Sequence, residues 1–375
     1  MIRIEADWIR DPRSMAVMAA LAPAGQAYFV GGCVRNALLG APVSDIDIAT
    51  SLVPQTVCQL AQKAGLKVVP TGLDHGTVTV VSEGQPFEVT TFRRDVHTDG
   101  RRATVAFCDS LAQDAMRRDF TMNALYADAQ GQVIDPLGGL DDLQARIVRF
   151  VGDPSGRIRE DYLRILRFFR FFAWYGDPQQ GVDAEGLAAC AAHSAGLETL
   201  SSERVTAEIV KLLAAPQPQT ALGAMMQSGV LTRVLAGATL EAFFRFCHLS
   251  QPDAVARLAA LGGDVSQLRL SRAQSKRLHM LRDAAVGTMS AGELGYRLGA
   301  AQARVALDLR CALLEIPSLP ADRHAVALGA ASRFPVKAAD LDPVLSGAAI
   351  GARLRDLEMA WIKSSFTLTK GQLLA

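Results

Sequence analysis

The spacing of apolar positions changes once along this 375-residue chain. Up to about residue 142, short apolar runs alternate with breaks that carry glycine or proline. Tyr28–Val30 and Ile46–Ile48 read as strands separated by a Gly31-Gly32 turn, a short helix and a loop. Val68–Pro70, Thr77–Val81 and Phe87–Phe92 read as further strands. Pro54 opens a helix whose apolar face holds Val57, Leu60 and Ala61, and Tyr126–Asp128 pairs with Val133–Asp135 about Gln130-Gly131. Past Asp141 the period becomes helical and strand patterns stop. Ser201 to Leu213 is one instance: Ser201 can cap, Val205, Ile209, Leu212 and Leu213 form a stripe, and Pro216 and Pro218 end it. The pattern predicts an α+β chain, with a mixed-sheet head over residues 1–142, a helical neck over 143–217 and a helical body and tail over 218–375.

Composition narrows the class. Half the residues are hydrophobic and 21% are charged, which is globular and not disordered. No apolar stretch approaches the roughly 20 residues of a membrane span, and the first residues, with Arg3, Glu5 and Asp7, do not form a secretory signal. Six dispersed cysteines with no C-x-x-C pair argue for reduced thiols in a cytoplasmic protein and against structural zinc. A net charge of +1 does not announce a nucleic-acid binder, but the arginines cluster, at Arg93, Arg94, Arg101, Arg102, Arg117 and Arg118 and again between Arg146 and Arg170. Such clusters suit phosphates.

Asp45 and Asp47 are two apart on a predicted strand and therefore share a face, while Ile46 and Ile48 face the core. Adjacent carboxylates repel unless a cation lies between or beside them. Gly31-Gly32 upstream permits a close backbone approach to phosphate. Together these features point to metal-assisted phosphoryl or nucleotidyl transfer. On a second strand Glu88 would complete a carboxylate cluster if that strand neighbours Asp47; paired with Arg93 it would be structural. Val96 to Arg102 is polar, contains glycine, and reads as a mobile loop.

Gly31-Gly32-Cys33-Val34-Arg35-Asn36, a Leu-Gly and then Asp45-x-Asp47 resemble the signature of DNA polymerase beta-like nucleotidyltransferases, specifically the class II tRNA nucleotidyltransferase and bacterial poly(A) polymerase family. Asn36 departs from the family's aspartate. Arg117-Arg118-Asp119-Phe120-Thr121-x-Asn123-Ala124 and Glu160-Asp161-x-x-Arg164-x-x-Arg167 resemble two further family motifs. The resemblance implies two Mg²⁺ ions at Asp45 and Asp47. It also implies nucleotide contacts from Gly32, Arg35, Arg118, Arg167 and Arg170, and ribose contacts from Asp119 and Asn123. By the same resemblance the 96–102 loop takes part in adding the terminal A.

Base choice follows from hydrogen-bond chemistry. On one helix, Asp161, Arg164 and Arg167 would form a polar ridge. A carboxylate accepts and a guanidinium donates; cytosine and adenine each present an amino group beside a ring acceptor, whereas uracil and guanine reverse that order. The expected activity is CCA addition to a tRNA 3′ end from CTP and ATP, releasing pyrophosphate, with tRNA as partner and no obligatory protein partner. Arg269, Arg272, Lys276 and Arg277 are candidate tRNA contacts. Poly(A) synthesis, or addition of CC or A alone, remains open on motif chemistry, though the poly(A) relatives carry a basic C-terminal tail that Gly371–Ala375 does not resemble. A noncatalytic RNA-binding protein on this scaffold is the alternative of another class.

Overall fold

The computed structural model describes residues 2–70, 72–99, 102–341 and 347–375. Two compact units divide at Val234/Leu235.

In the first unit, α1 (Asp7–Arg10) and α2 (Pro12–Leu21) precede β1 (Ala27–Val30), α3 (Gly32–Leu38), β2 (Asp47–Thr50) and α4 (Pro54–Lys63). Then come β3 (Lys67–Val69), β4 (Thr77–Ser82), β5 (Gln85–Thr91), β6 (Arg93–Asp99), β7 (Arg102–Phe107), α5 (Leu111–Met116), β8 (Tyr126–Ala127) and β9 (Val133–Ile134). Seven strands form one mixed sheet in the order β3-β4-β5-β2-β1-β8-β9, in which only β2 and β5 run parallel. Its layers follow from period-two alternation. Ile48, Val78, Val80, Phe87 and Val89 are buried on one face, and α2 and α4 pack against β4 on that side. Full burial of each such side chain contributes about 1.5–3 kcal/mol. Val30, Ala49 and Tyr126 face the other way and join Phe92, Ala115, Ala124 and Val151 in a second cluster.

The segment read as a loop at 96–102 is mostly strand: β6 and β7 pair antiparallel in a separate two-stranded ribbon. Gly100 and Arg101 lie outside the described residues, and with them the proposed switching point for A addition. The α2 helix is absent from the sequence reading, yet its signal is present, because Asp11 caps it by accepting from the Arg13 N–H at 2.9 Å and Pro12 occupies its first position.

Helices complete the unit: α6 (Gly139–Gln144), α7 (Pro154–Glu160), α8 (Leu163–Tyr175), α9 (Ala184–Ala192), α10 (Ser202–Leu213), α11 (Gln219–Gln227) and α12 (Val230–Val234). Ser201 occupies the N-cap position of α10, but its side chain makes no capping hydrogen bond. Aromatic packing fixes α8 to the sheet domain, with ring centroids 5.0 Å apart for Phe120 and Phe150, 5.2 Å for Phe150 and Phe168, and 4.8 Å for Phe120 and Phe171. Phe120 directly follows Asp119, so this packing sets where the polar face of α8 stands relative to that carboxylate.

The second unit is helical among the described residues: α13 (Glu241–Leu249), α14 (Ala254–Leu261), α15 (Arg272–Val286), α16 (Ala291–Leu314), α17 (Pro320–Ala331), α18 (Ala348–Lys363) and α19 (Lys370–Leu374). A Cβ on Gly295 would fall 2.2 Å from the Val326 carbonyl oxygen, so α16 and α17 approach closely only because that side chain is missing. Arg310 satisfies the end of α15 by donating to the Ala284 and Ala285 carbonyls at 2.7 and 3.1 Å. Arg277, a candidate tRNA contact, is instead ion-paired with Asp253. Arg272 and Lys276 remain exposed on α15.

Candidate active site

Residue pairing in the sheet brings the acids together. Asp47 is in register with Glu88 across the parallel β2/β5 pair and with Val30 across β1/β2. The chain leaves β1 at Val30 directly into Gly31, whose φ of 71° favours glycine and whose missing Cβ would lie 3.5 Å from Arg118 Nη1. Asp45, predicted on the strand, lies just before it in an extended loop, exposed and accepting from Ser44 Oγ at 2.9 Å. The alternation survives this correction, since Ile46 and Ile48 are buried. Glu88 is exposed and does not line the cleft that Asp45 and Asp47 enter.

The Asp47 carboxyl is pushed up to about 6, first by burial and next by the charge of Glu88; Arg118 opposes the rise and Asp45 adds to it. Crowded carboxylates of this kind fit a hard divalent cation, which oxygen donors bind. Among the described residues no three acidic, histidine or cysteine side chains converge to enclose a metal. A divalent cation held by Asp45 and Asp47 would take the rest of its ligands from water or a bound phosphate.

Arginines held by buried partners share the cleft with these acids. Asp114, fully buried on α5, accepts from Arg117 Nε at 2.8 Å, Arg118 Nη2 at 3.0 Å and the Tyr126 hydroxyl at 2.7 Å. Burial disfavours the Arg118 charge, but Tyr126 and Asp114 outweigh it and raise the pKa. Arg35, on α3, donates to Asn123 and to the Tyr175 hydroxyl, and its guanidinium lies 4.0 Å from the Tyr175 ring centroid. Asp119 accepts from Asn123 Nδ2 at 3.0 Å and from Arg167 Nε at 2.8 Å. Burial alone would raise the Asp119 carboxyl, but Arg167 and Asn123 hold it down at about 2. Arg170 pairs with buried Glu208 of α10 at 2.5 Å.

The predicted ridge on one helix does not form. Asp161 has extended φ/ψ of −155° and 106°, which separates α7 from α8, and its carboxylate accepts from the Leu163 N–H at 3.1 Å. Its other oxygen accepts from Arg204 of α10 at 2.6 Å. Arg164 donates to the Arg157 carbonyl at 2.7 Å and pairs with Glu160, not Asp161. Both residues nonetheless line the same cleft.

That cleft is open, about 610 Å³ in volume, and lined by Gly31, Gly32, Arg35, Asp45, Asp47, Arg117, Arg118, Asp119, Asn123, Asp161, Arg164, Arg167, Arg170 and Phe171. Six arginines outnumber four aspartates on its lining, which offers guanidinium donors to a polyanion. Every candidate catalytic or nucleotide-binding residue from the sequence except Glu88 lines this cleft.

Comparison with known proteins agrees with the geometry. Residues 27–149 match the poly A polymerase head domain family, and residues 182–239 match a family described as "Probable RNA and SrmB- binding site of polymerase A". The CCA-adding enzyme of Streptococcus gordonii is 42% identical over 65% of this chain and 62% of its own. The mouse mitochondrial CCA tRNA nucleotidyltransferase 1 is 34% identical over 92% of this chain and 85% of its own. The chain belongs to the CCA tRNA nucleotidyltransferase family. It spans about three-fifths of the streptococcal relative's length. The Bacillus stearothermophilus CCA-adding enzyme, solved in complex with CTP, superposes on this family member with a TM-score of 0.76 at 28% identity, covering 94% of this chain and 92% of that one.

For this nucleotidyltransferase family member, the raised Asp47 carboxyl has a definite pH signature. Its protonated form is favoured in the fold, so the cost to stability is present above its pKa of about 6 and disappears below the ordinary carboxylate value of about 4. Asp47→Asn is expected to raise metal-free stability above neutral pH, on the order of 1–2 kcal/mol, and to leave it unchanged below about pH 4. Urea denaturation at both pH values checks this; equal effects at both would contradict it. Apparent affinity for a divalent cation should fall as pH drops through about 6, where a proton competes for Asp47.

Proposed function

We propose that the protein is a template-independent tRNA nucleotidyltransferase that adds CMP, CMP and AMP to a tRNA 3′ end from CTP and ATP, with release of pyrophosphate. The observation that carries this reading is that Asp45 and Asp47 line one cleft together with Arg35, Arg118, Arg167 and Arg170 and with Asp161 and Arg164. Two Mg²⁺ ions held by Asp45 and Asp47 would supply Lewis-acid stabilisation of the triphosphate and activation of the 3′-hydroxyl. Glu88, in register with Asp47, deepens the negative potential at that end. Arg118, kept charged by Asp114 and Tyr126, and Arg35 hold the triphosphate at the other. Asp119 and Asn123, bonded to one another, face the ribose, and Gly31 and Gly32 let the backbone approach the phosphates.

Asp161 and Arg164 select the base. Arg204 and the Leu163 N–H fix the Asp161 carboxylate while its oxygens keep acceptor capacity. Glu160 and the Arg157 carbonyl fix Arg164, which still has donors to offer. A uracil or guanine edge would set acceptor against acceptor and donor against donor, at about 1–3 kcal/mol per mismatched contact. Arg164→Ala is therefore expected to reduce discrimination against UTP and GTP by roughly five- to a hundredfold. Single-nucleotide incorporation into a CC-ended tRNA measures this; equal slowing with all four nucleotides would show that Arg164 reads no base.

We assign nucleotide chemistry to residues 1–142, base choice to 143–217, and tRNA holding by shape and phosphate contacts to 218–375, with Arg272 and Lys276 as contacts. The dispersed cysteines, all free thiols, suit a cytoplasmic location. The test offers CTP and ATP separately to tRNAs ending before CCA, at C and at CC. The full activity adds C to the first two and A only to the third. Extension of one class alone would replace this reading by a partial enzyme, and a run of A residues by a poly(A) polymerase.

A further inference from the structure

Arg35 is buried, 6% exposed, yet all its hydrogen-bond partners are neutral. Nε and Nη2 donate to Asn36 Oδ1 at 3.1 and 2.8 Å, Nη1 donates to Asn123 Oδ1, and Nη2 donates to the Tyr175 hydroxyl. Among the described residues no carboxylate is ion-paired with it. Burial pulls its pKa down, and the nearby Tyr175 and Asp119, neither in an ion pair with it, offset that only in part. Such a charge is costly until an anion meets it, and Arg35 faces the cleft.

Asn36 has a second tie. Its Nδ2 donates to the Pro42 carbonyl at 2.7 Å, and its own carbonyl accepts from the Ala41 N–H at 2.8 Å. Pro42 lies three residues before Asp45 on the same loop. The Asn36 amide accepts from the Arg35 guanidinium and donates to the Pro42 carbonyl; a carboxylate would accept from Arg35, neutralise it and face Pro42 with a second acceptor.

We propose that Asn36 is a positioning residue of the triphosphate site: its neutral amide orients Arg35 without cancelling the charge that meets the ligand, and it anchors the loop carrying Asp45. The inference rests on the reading of the cleft as a nucleoside triphosphate site. Two variants separate charge from anchoring. Asn36→Asp keeps the shape and adds a negative charge; Asn36→Ala removes both ties and adds none.

Calorimetric titration of metal-free full-length protein with tripolyphosphate, at several salt concentrations, gives the first readout. Asn36→Asp should bind about tenfold more weakly than wild type, the equivalent of one charge-assisted contact, with a shallower salt dependence. Asn36→Ala should stay within about threefold of wild type. In steady-state CTP incorporation, Asn36→Ala should lower kcat with little change in KM, and Asn36→Asp should change both. Wild-type affinity in Asn36→Asp, or an equal loss in both variants, overturns the proposal while leaving the nucleotide reading intact. Failure of folded wild type to bind tripolyphosphate overturns both.

Discussion

Asp47→Ala is expected to abolish nucleotide incorporation while leaving a folded protein. Asp47 sits where β2 begins, with its neighbour Ile48 buried in the core and its own carboxylate turned into the cleft. Its pKa of about 6 shows that the fold holds this charge at a cost, through burial and the nearby Glu88. A strand acid kept under those conditions contributes little to stability, so its loss should not unfold the chain. On the proposed assignment of Asp47 as a metal ligand, its loss removes transition-state stabilisation of several kcal/mol, or about a thousandfold or more in rate. Asp45→Ala should behave alike, since it supplies the second carboxylate from the exposed loop. Single-turnover incorporation at saturating Mg²⁺, with thermal unfolding in parallel, provides the check. Near-normal turnover in both variants would remove these residues from the chemistry.

Asp114→Ala should have the opposite character, a large loss of stability that carries activity down with it. Asp114 is fully buried and accepts from Arg117, Arg118 and Tyr126. Its carboxyl is held below the usual range, because Arg118 and Arg117 outweigh the burial that would otherwise raise it. Truncation would leave the Arg118 guanidinium with Tyr126 alone and strand the phenol as well. Breaking a buried ion pair by removing one partner costs about 3–5 kcal/mol. A lowered carboxyl contributes stability above its unfolded value that is lost as pH falls through the folded one. The gap between wild type and Asp114→Ala should therefore be full at neutral pH and close in strong acid. Urea denaturation monitored across that range tests it, and a difference below about 0.5 kcal/mol at neutral pH would mean that the pair contributes nothing.

Much of this site is legible in the sequence because its signals are local. Alternation around Ile46 and Ile48, the Gly31-Gly32 break and the spacing of Arg118, Asp119 and Asn123 are all set within a few residues. The Glu88–Asp47 register was conditional on two strands meeting, which no local pattern decides. The break at Asp161 escaped for a related reason. Apolar and arginine positions run on from Ile158 to Phe172 without glycine or proline, so the helical period continues through a point where the backbone is extended. The interactions that stop it are a local cap to Leu163 and a pull from Arg204, more than forty positions away. Asp114 and Glu208 gave no local sign of burial either. The i,i+4 spacing of Asp114 and Arg118 suggests a pair, but nothing in it says that both leave water. What sequence leaves out is therefore the buried charge behind each cleft residue, which depends on contacts distant along the chain.

The proposed function has one cleft in this chain build a defined three-nucleotide end with no nucleic-acid template. Its most direct test is to incubate the protein with Mg²⁺, all four nucleoside triphosphates and a tRNA that lacks its CCA end, and to sequence the product ends. The expected product ends carry C, C and A in that order and stop there, with no U or G. Ends of mixed sequence, a continuing A tract, or no extension by a folded, nucleotide-binding protein would contradict it.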